Sequence, residues 1–168
     1  AVFGADRAHV EGWIQHIWQP GSVTDTLDFL HALNQRIASE ITYIVRDEPG
    51  VQSPAHTMSR GKGSCRDVAT LFIEACRSCG LASRFVSGYA HAPGSEQWSS
   101  TTHAWAEVYL PGAGWKGFDP TAGEVTGSRH IPVAVARHPE SVPPVAGSFV
   151  GLTGPPPELI VDVRVVAL

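Results

Sequence analysis

The sequence is poor in charge and has no run of one sign. Asp, Glu, Lys and Arg together make up 17% of its 168 residues, and the net charge is −4. Without a Lys/Arg cluster it lacks the electrostatic footprint of a nucleic-acid-binding chain. No apolar stretch approaches the roughly 20 residues that span a bilayer as a helix. The expected partners therefore include neither nucleic acid nor membrane. Cysteine is scarce and odd in number, three in all, whereas a disulfide framework favours an even count. Cys76 and Cys79 form a C-x-x-C, but both fall late in a predicted helix and no second pair completes a zinc site. They read as core or helix-surface thiols. The eight histidines are scattered and contain no His-Glu-x-x-His, so neither a metal nor another cofactor is expected. The first residues, Ala-Val-Phe-Gly-Ala-Asp-Arg, show no basic region followed by an apolar one, and the expected location is cytoplasmic. The chain begins at Ala1 rather than Met, which suggests a piece of a longer protein whose upstream signals would not be seen.

What is present suits one domain over residues 1–168: 43% of the residues are hydrophobic, enough for a substantial core. Val10, Trp13, Ile14, Ile17 and Trp18 recur at helical spacing within residues 5–18, and Pro20-Gly21 ends that pattern. Leu27, Leu30, Leu33, Ile37 and Ile41 predict a second helix over 25–41, with Thr24 as its cap. The polar stretch from Asp47 to Arg60, with two prolines, reads as a loop. A third helix is predicted from Cys65 to about Cys79. Ser64 and Asp67 have capping-box spacing, Val68, Leu71, Phe72, Ala75 and Cys79 face the core, and Gly80 stops the helix.

Strands follow at Arg84–Ala90, at residues 102–110 and from Trp115 to Asp119, with shorter β-prone runs at Ile131–Ala136 and Leu159–Val166. Over residues 102–110, His103, Trp105, Glu107 and Tyr109 alternate with Ala104, Ala106, Val108 and Leu110, so the two sets take opposite faces. Residues 91–101 read as a loop. No internal repeat is visible. Pro155-Pro156-Pro157 reads as a stiff spacer rather than a domain boundary.

Three side chains carry the chemistry. A cysteine at a helix start meets free N–H groups and the positive end of the helix dipole, which favour its thiolate. A histidine can hold the resulting thiolate–imidazolium pair, and a carboxylate can orient the ring. Cys65 in Gly61-Lys62-Gly63-Ser64-Cys65-Arg66-Asp67, His103 in Thr102-His103-Ala104-Trp105-Ala106-Glu107 and Asp119 in Gly114-Trp115-Lys116-Gly117-Phe118-Asp119-Pro120 fill these roles. Singly, each has a plainer reading: a small buried thiol, a satisfied strand histidine, a turn aspartate before proline. Together they impose a geometric condition. If the Pro111–Gly114 turn pairs Leu110 with Gly114, then His103 and Asp119 become diagonal neighbours on one face, roughly 7–8 Å apart at Cα. A slip of one residue separates them. Asp67 reads as a cap or an ion-pair partner. Tyr43 is a candidate to reach an oxyanion and Trp98 a candidate to line a substrate groove. The backbone N–H of Cys65 is the natural oxyanion donor.

These segments resemble the transglutaminase-like superfamily, and more closely its bacterial transglutaminase-like cysteine-protease branch. The matching stretches are Gly63–Asp67, Arg84–Tyr89, His103–Pro111 and Gly114–Thr121, with His130–Arg137 similar to the family's segment after the triad. Val68 and Lys62-Gly63 depart from the commoner spellings. The order Cys-His-Asp and Arg60-Gly61 are also similar to arylamine N-acetyltransferases, but Asp-Pro-Thr and His-Ala-Trp-Ala-Glu fit the first family better. The resemblance implies a papain-like α+β fold, with N-terminal helices and a cysteine helix packed on an antiparallel sheet. It implies Cys65 as nucleophile, His103 as base and Asp119 as orienter, acting on an amide of a protein or peptide substrate through a thioester. By analogy the outcome is hydrolysis. The alternatives are transfer to an amine, as in a protein-glutamine γ-glutamyltransferase, and a non-catalytic interaction module of the same fold.

Overall fold

The structure is a computed structural model that describes residues 4–91, 101–147, 150–151 and 163. A 3₁₀ turn, Gly4–Asp6, leads into α1 (Arg7–Ile14), followed by α2 (Thr26–Glu40), α3 (Pro54–Arg60) and α4 (Cys65–Ser78). Two short strands, β1 (Thr42–Tyr43) and β2 (Lys62–Gly63), pair in parallel between the helices. The remaining strands are β3 (Ser83–Ala90), β4 (Thr101–Leu110), β5 (Gly114–Asp119), β6 (Glu124–Val125) and β7 (His130–Ala136). They form an antiparallel sheet in the order β6-β5-β4-β3-β7. This is the expected α+β arrangement with the cysteine helix laid on an antiparallel sheet.

The core lies between α4 and that sheet. Val68, Leu71, Phe72 and Ala75 of α4 meet Ala104, Ala106 and Val108 of β4 together with Phe85 and Phe118, while Leu30, Leu33 and Ile37 of α2 close the other side. Phe72 stacks on Phe118 at 5.5 Å between ring centroids, and full burial of one such ring is worth about 2–3 kcal/mol. The alternation in β4 puts small side chains against the helix, so helix and sheet approach closely. The helix is buried on more sides than one stripe requires, since every residue from Asp67 to Ile73 is buried. The β4–β5 register is the one the triad requires, with Leu110 opposite Gly114 and Ala106 opposite Phe118.

Several expectations need correction. Helix α1 stops at Ile14, because the N–H groups of Ile17 and Trp18 both converge on the Ile14 carbonyl and close the chain into a turn. Asp25, not Thr24, caps α2: its Oδ1 accepts from Leu27 N at 2.8 Å and Asp28 N at 3.1 Å. A carboxylate there also answers the positive end of the helix. Leu27 turns outward, 48% exposed, while Phe29 is buried. The stretch expected as loop contains α3, whose start is Ser53 as cap and Pro54 at the first turn; proline's fixed φ and missing N–H suit that position. The predicted last run, Leu159–Val166, and the Pro155–Pro157 spacer lie outside the described residues.

One buried carboxylate fixes the start of α4. Asp67 is fully buried; its Oδ2 accepts from the Ser64 backbone N–H at 2.8 Å and the Ser64 hydroxyl at 2.7 Å. Its Oδ1 accepts from Gln52 N at 2.7 Å and faces the Arg46 guanidinium at 3.4 Å. Both readings of Asp67, cap and ion-pair partner, hold at once. Asp67→Ala would leave Arg46 and two backbone donors short of an acceptor. The expected loss is about 3 kcal/mol, seen as a lower urea midpoint. An unchanged midpoint would show that water replaces the carboxylate.

Candidate functional site

Cys65 is the first helical residue of α4, after Ser64 in extended conformation. Its position is set by the bonds Asp67 makes to Ser64 and by the burial of the helix behind it. His103 stands near the start of β4 and Asp119 ends β5. The hairpin register brings them together: His103 Nε2 lies 2.7 Å from Asp119 Oδ2. Cys65 lies close enough to the same ring to help raise its pKa, and with Nε2 engaged by Asp119, Nδ1 is the nitrogen left to face the sulfur. The structure thus gathers the three residues selected from sequence.

The carboxylate is held from three directions. Asp119 Oδ1 accepts from Thr121 N at 2.9 Å, and Oδ2 accepts a second histidine, His130, at 3.1 Å. Asp119 is 3% exposed. Burial alone would raise its pKa, but the hydrogen bonds from His103 and His130 outweigh it and hold the group well below the usual carboxylate range. For His103 the balance is reversed in sign. Burial would lower its pKa, yet its hydrogen bonds to Asp119 and Cys65 and their charges push it up to about 10.

Burial raises the phenol pKa of Tyr43, and the charge of nearby Cys65 adds to the rise. Trp98 lies outside the described residues. Cys76 is fully buried and its thiol is pushed well above the usual value by that burial, while half-buried Cys79 is raised for the same reason. Neither thiol shares the surroundings of Cys65.

A cleft of about 310 Å³ opens beside Cys65 and His103, walled by Val51, Phe85, Ala104 and Val142 with Arg66 at its side. A larger hollow of about 410 Å³, lined by Arg77, Trp115 and Arg137, touches neither Cys65 nor His103. The smaller cleft is the one the chemistry selects. Among the described residues one cluster offers three metal-ligand atoms, from His103, Asp119 and His130, all within 4.8 Å of one another. The same atoms lie within hydrogen-bonding distance of one another, with His103 Nε2 and His130 Nε2 both on Asp119 Oδ2. The sequence reading gave His130 no role; it opens a β-prone run after a Gly-rich turn, and nothing in that local pattern signals a contact with Asp119.

Residues 15–120 match the family model described as the transglutaminase-like superfamily, and the chain belongs to that superfamily. Among curated proteins it is 33% identical over 138 residues to the uncharacterized protein Rv2569c of Mycobacterium tuberculosis, covering 72% of this chain and 41% of that protein. It is 28% identical over 129 residues to the uncharacterized protein ML0607 of Mycobacterium leprae, covering 74% of this chain and 46% of that one. The chain therefore spans less than half the length of these relatives. Among solved structures it is similar to a candidate cysteine protease from Cytophaga hutchinsonii, with TM-score 0.65, 24% identity, and coverage of 80% of this chain and 44% of that one. LapG of Legionella pneumophila gives TM-score 0.56 at 13% identity, covering 77% and 83% of the two chains. At these identities the likeness is one of fold, and it places the chain among transglutaminase-like, papain-like α+β structures.

The coupled pair makes stability depend on pH. His103 moves from an ordinary value of 6.5 to about 10 on folding, so its contribution is complete below about pH 6.5 and is lost progressively as pH rises toward 10. Asp119, depressed on folding, contributes above its unfolded value and loses that contribution only in acid. The wild-type melting temperature should therefore fall more steeply between pH 6.5 and 10 than that of Asp119→Asn. Parallel curves for the two proteins would contradict the pairing.

Proposed function

We propose that this domain is a cysteine-dependent acyl-transfer enzyme that hydrolyses amide bonds in a protein or peptide substrate. The observation that carries this reading is the His103 ring, bonded through Nε2 to Asp119 at 2.7 Å with Cys65 beside it. A solvent-facing cleft opens at the sulfur. A strand histidine kept only for packing needs neither a buried carboxylate on one nitrogen nor a partly exposed thiol beside it.

In this reading Cys65 sulfur attacks the substrate carbonyl carbon. The S–C bond forms and the C=O electron pair moves to oxygen, where the Cys65 backbone N–H at the helix start receives it. The tetrahedral species collapses, the C–N bond breaks, and the leaving amine takes the proton of the His103 imidazolium. A thioester remains. His103, now neutral, takes a proton from water as it attacks; the C–S bond breaks, the acid departs and Cys65 with His103 is restored. Asp119 keeps the ring oriented and supports its charge throughout. An amine in place of water gives transfer from the same acyl-enzyme.

Profiling against a peptide library, with and without an added primary amine, tests the reading. The expected products are free acids whose yield the amine does not reduce; amine-capped products would establish transfer, and no acyl-enzyme with any peptide would favour a non-catalytic module. Iodoacetamide at neutral pH should modify Cys65 ahead of Cys79 and Cys76, and equal rates would count against an activated thiol.

Cys65→Ala should abolish acyl-enzyme formation, since no neighbour replaces the sulfur. Asp119→Asn should lower turnover yet leave measurable activity. The comparable change in a serine triad costs roughly 10⁴, whereas a thiolate–imidazolium pair formed before substrate arrives leans less on the carboxylate. A variant with wild-type rate and pH profile would reduce Asp119 to a turn residue and the site to a Cys–His dyad.

A further inference from the structure

We propose that His130 is a positioning residue of this site: it fixes the Asp119 carboxylate in the plane that meets His103. The inference rests on the reading of Cys65, His103 and Asp119 as the reacting set. Two hydrogen bonds assign the ring's state. The Gly127 backbone N–H donates to His130 Nδ1 at 3.3 Å, so that nitrogen carries a lone pair. In the neutral ring Nε2 must then bear the proton, and Nε2 is the atom 3.1 Å from Asp119 Oδ2. His130 thus donates to the same oxygen that His103 uses.

A carboxylate fastened only by His103 and the Thr121 N–H would keep freedom to tilt about its Cβ–Cγ bond. A second donor on Oδ2, from a different strand, removes it. The ring is itself locked. Its side chain is 5% exposed and meets Trp105 edge-on, with centroids 5.3 Å apart. Trp105 also lies 6.1 Å from the His103 ring, so one buried indole backs both histidines. Gly88 makes the approach possible, because a Cβ there would collide with the Ile131 carbonyl oxygen next to His130 and with the Trp105 ring. The titratable groups that contact the ring are His103 of β4, 6.1 Å away between centroids, and Asp119 of β5. Only Asp119 bonds it.

Two variants separate the donor from the packing. His130→Phe keeps a ring against Trp105 but cannot donate. His130→Gln replaces the ring but returns an N–H at similar reach. The Phe variant is expected to lose about tenfold in kcat, the effect of one hydrogen bond to a charged group, with KM unchanged. The acid limb of its Cys65 alkylation profile should move to higher pH, because a carboxylate free to tilt supports the His103 imidazolium, and with it the Cys65 thiolate, less well. The Gln variant should recover most of both. Wild-type kcat and an unmoved limb in the Phe variant would overturn the proposal, and so would a Gln variant as impaired as Phe. Should the Phe variant not fold, ¹⁵N NMR of the wild-type protein decides. The Nε2–H tautomer of His130 with a coupling to Asp119 is expected, and the Nδ1–H tautomer overturns the assignment. If wild-type Cys65 alkylates no faster than Cys79, the triad reading fails and this inference falls with it. If Cys65 is fast and the Phe variant matches it at every pH, only the role of His130 fails.

Discussion

The parity of β4 is the constraint on which the rest depends. Ala104, Ala106 and Val108 must face α4, because only small side chains let the helix settle onto the sheet with Phe72 and Phe118 stacked between them. That choice sends His103, Trp105, Glu107 and Tyr109 to the other face. The outward positions are put to use: Glu107 pairs with Arg84 across the strand at 2.6 Å, and Tyr109 meets Trp115 edge-on. A one-residue slip would bury Glu107 against the helix and undo both the core and the His103–Asp119 contact. Folding and site geometry are therefore enforced by the same hydrophobic burial.

Two buried carboxylates divide the remaining work. Asp67 organises the start of α4 and ties the chain around Arg46 and Gln52 to it. Asp119 organises the ring beside Cys65. Each is nearly excluded from solvent, and each would be a liability if left with fewer partners. Their many hydrogen bonds answer that cost. The two differ in what surrounds them: Asp67 is met by backbone, hydroxyl and guanidinium groups, whereas Asp119 is met by two imidazoles and one N–H. A carboxylate facing imidazole controls a group that can give and take protons, and this sets the proposed reacting centre apart from a structural anchor.

Much of this was legible in the chain. The positions of Leu30, Leu33 and Ile37, the capping pair Ser64 and Asp67, and the alternation from His103 to Leu110 each follow from a local period or spacing, and each appears in the fold. The departures are also local. Ser53-Pro54 starts a helix inside a stretch whose polar composition predicts a loop, and Asp25, a stronger acceptor than its neighbour Thr24, takes the cap of α2.

The sequence by itself determined helices α2 and α4, strands β3, β4, β5 and β7, the faces of β4, and the order of a cysteine, a histidine and an aspartate in contexts that belong to the transglutaminase-like superfamily. These rest on neighbours within a few positions, where helix and strand periodicity act. Only the tertiary structure decided that His130, opening β7, donates to the Asp119 oxygen that His103 also uses. The chain must leave β5, turn through β6 and come back before that ring can arrive, and its place is set by packing on Trp105 and by the room left at Gly88. Burial likewise decided the balance of charge at the site, because the strength of a hydrogen bond or an ion pair depends on how much water the finished fold excludes.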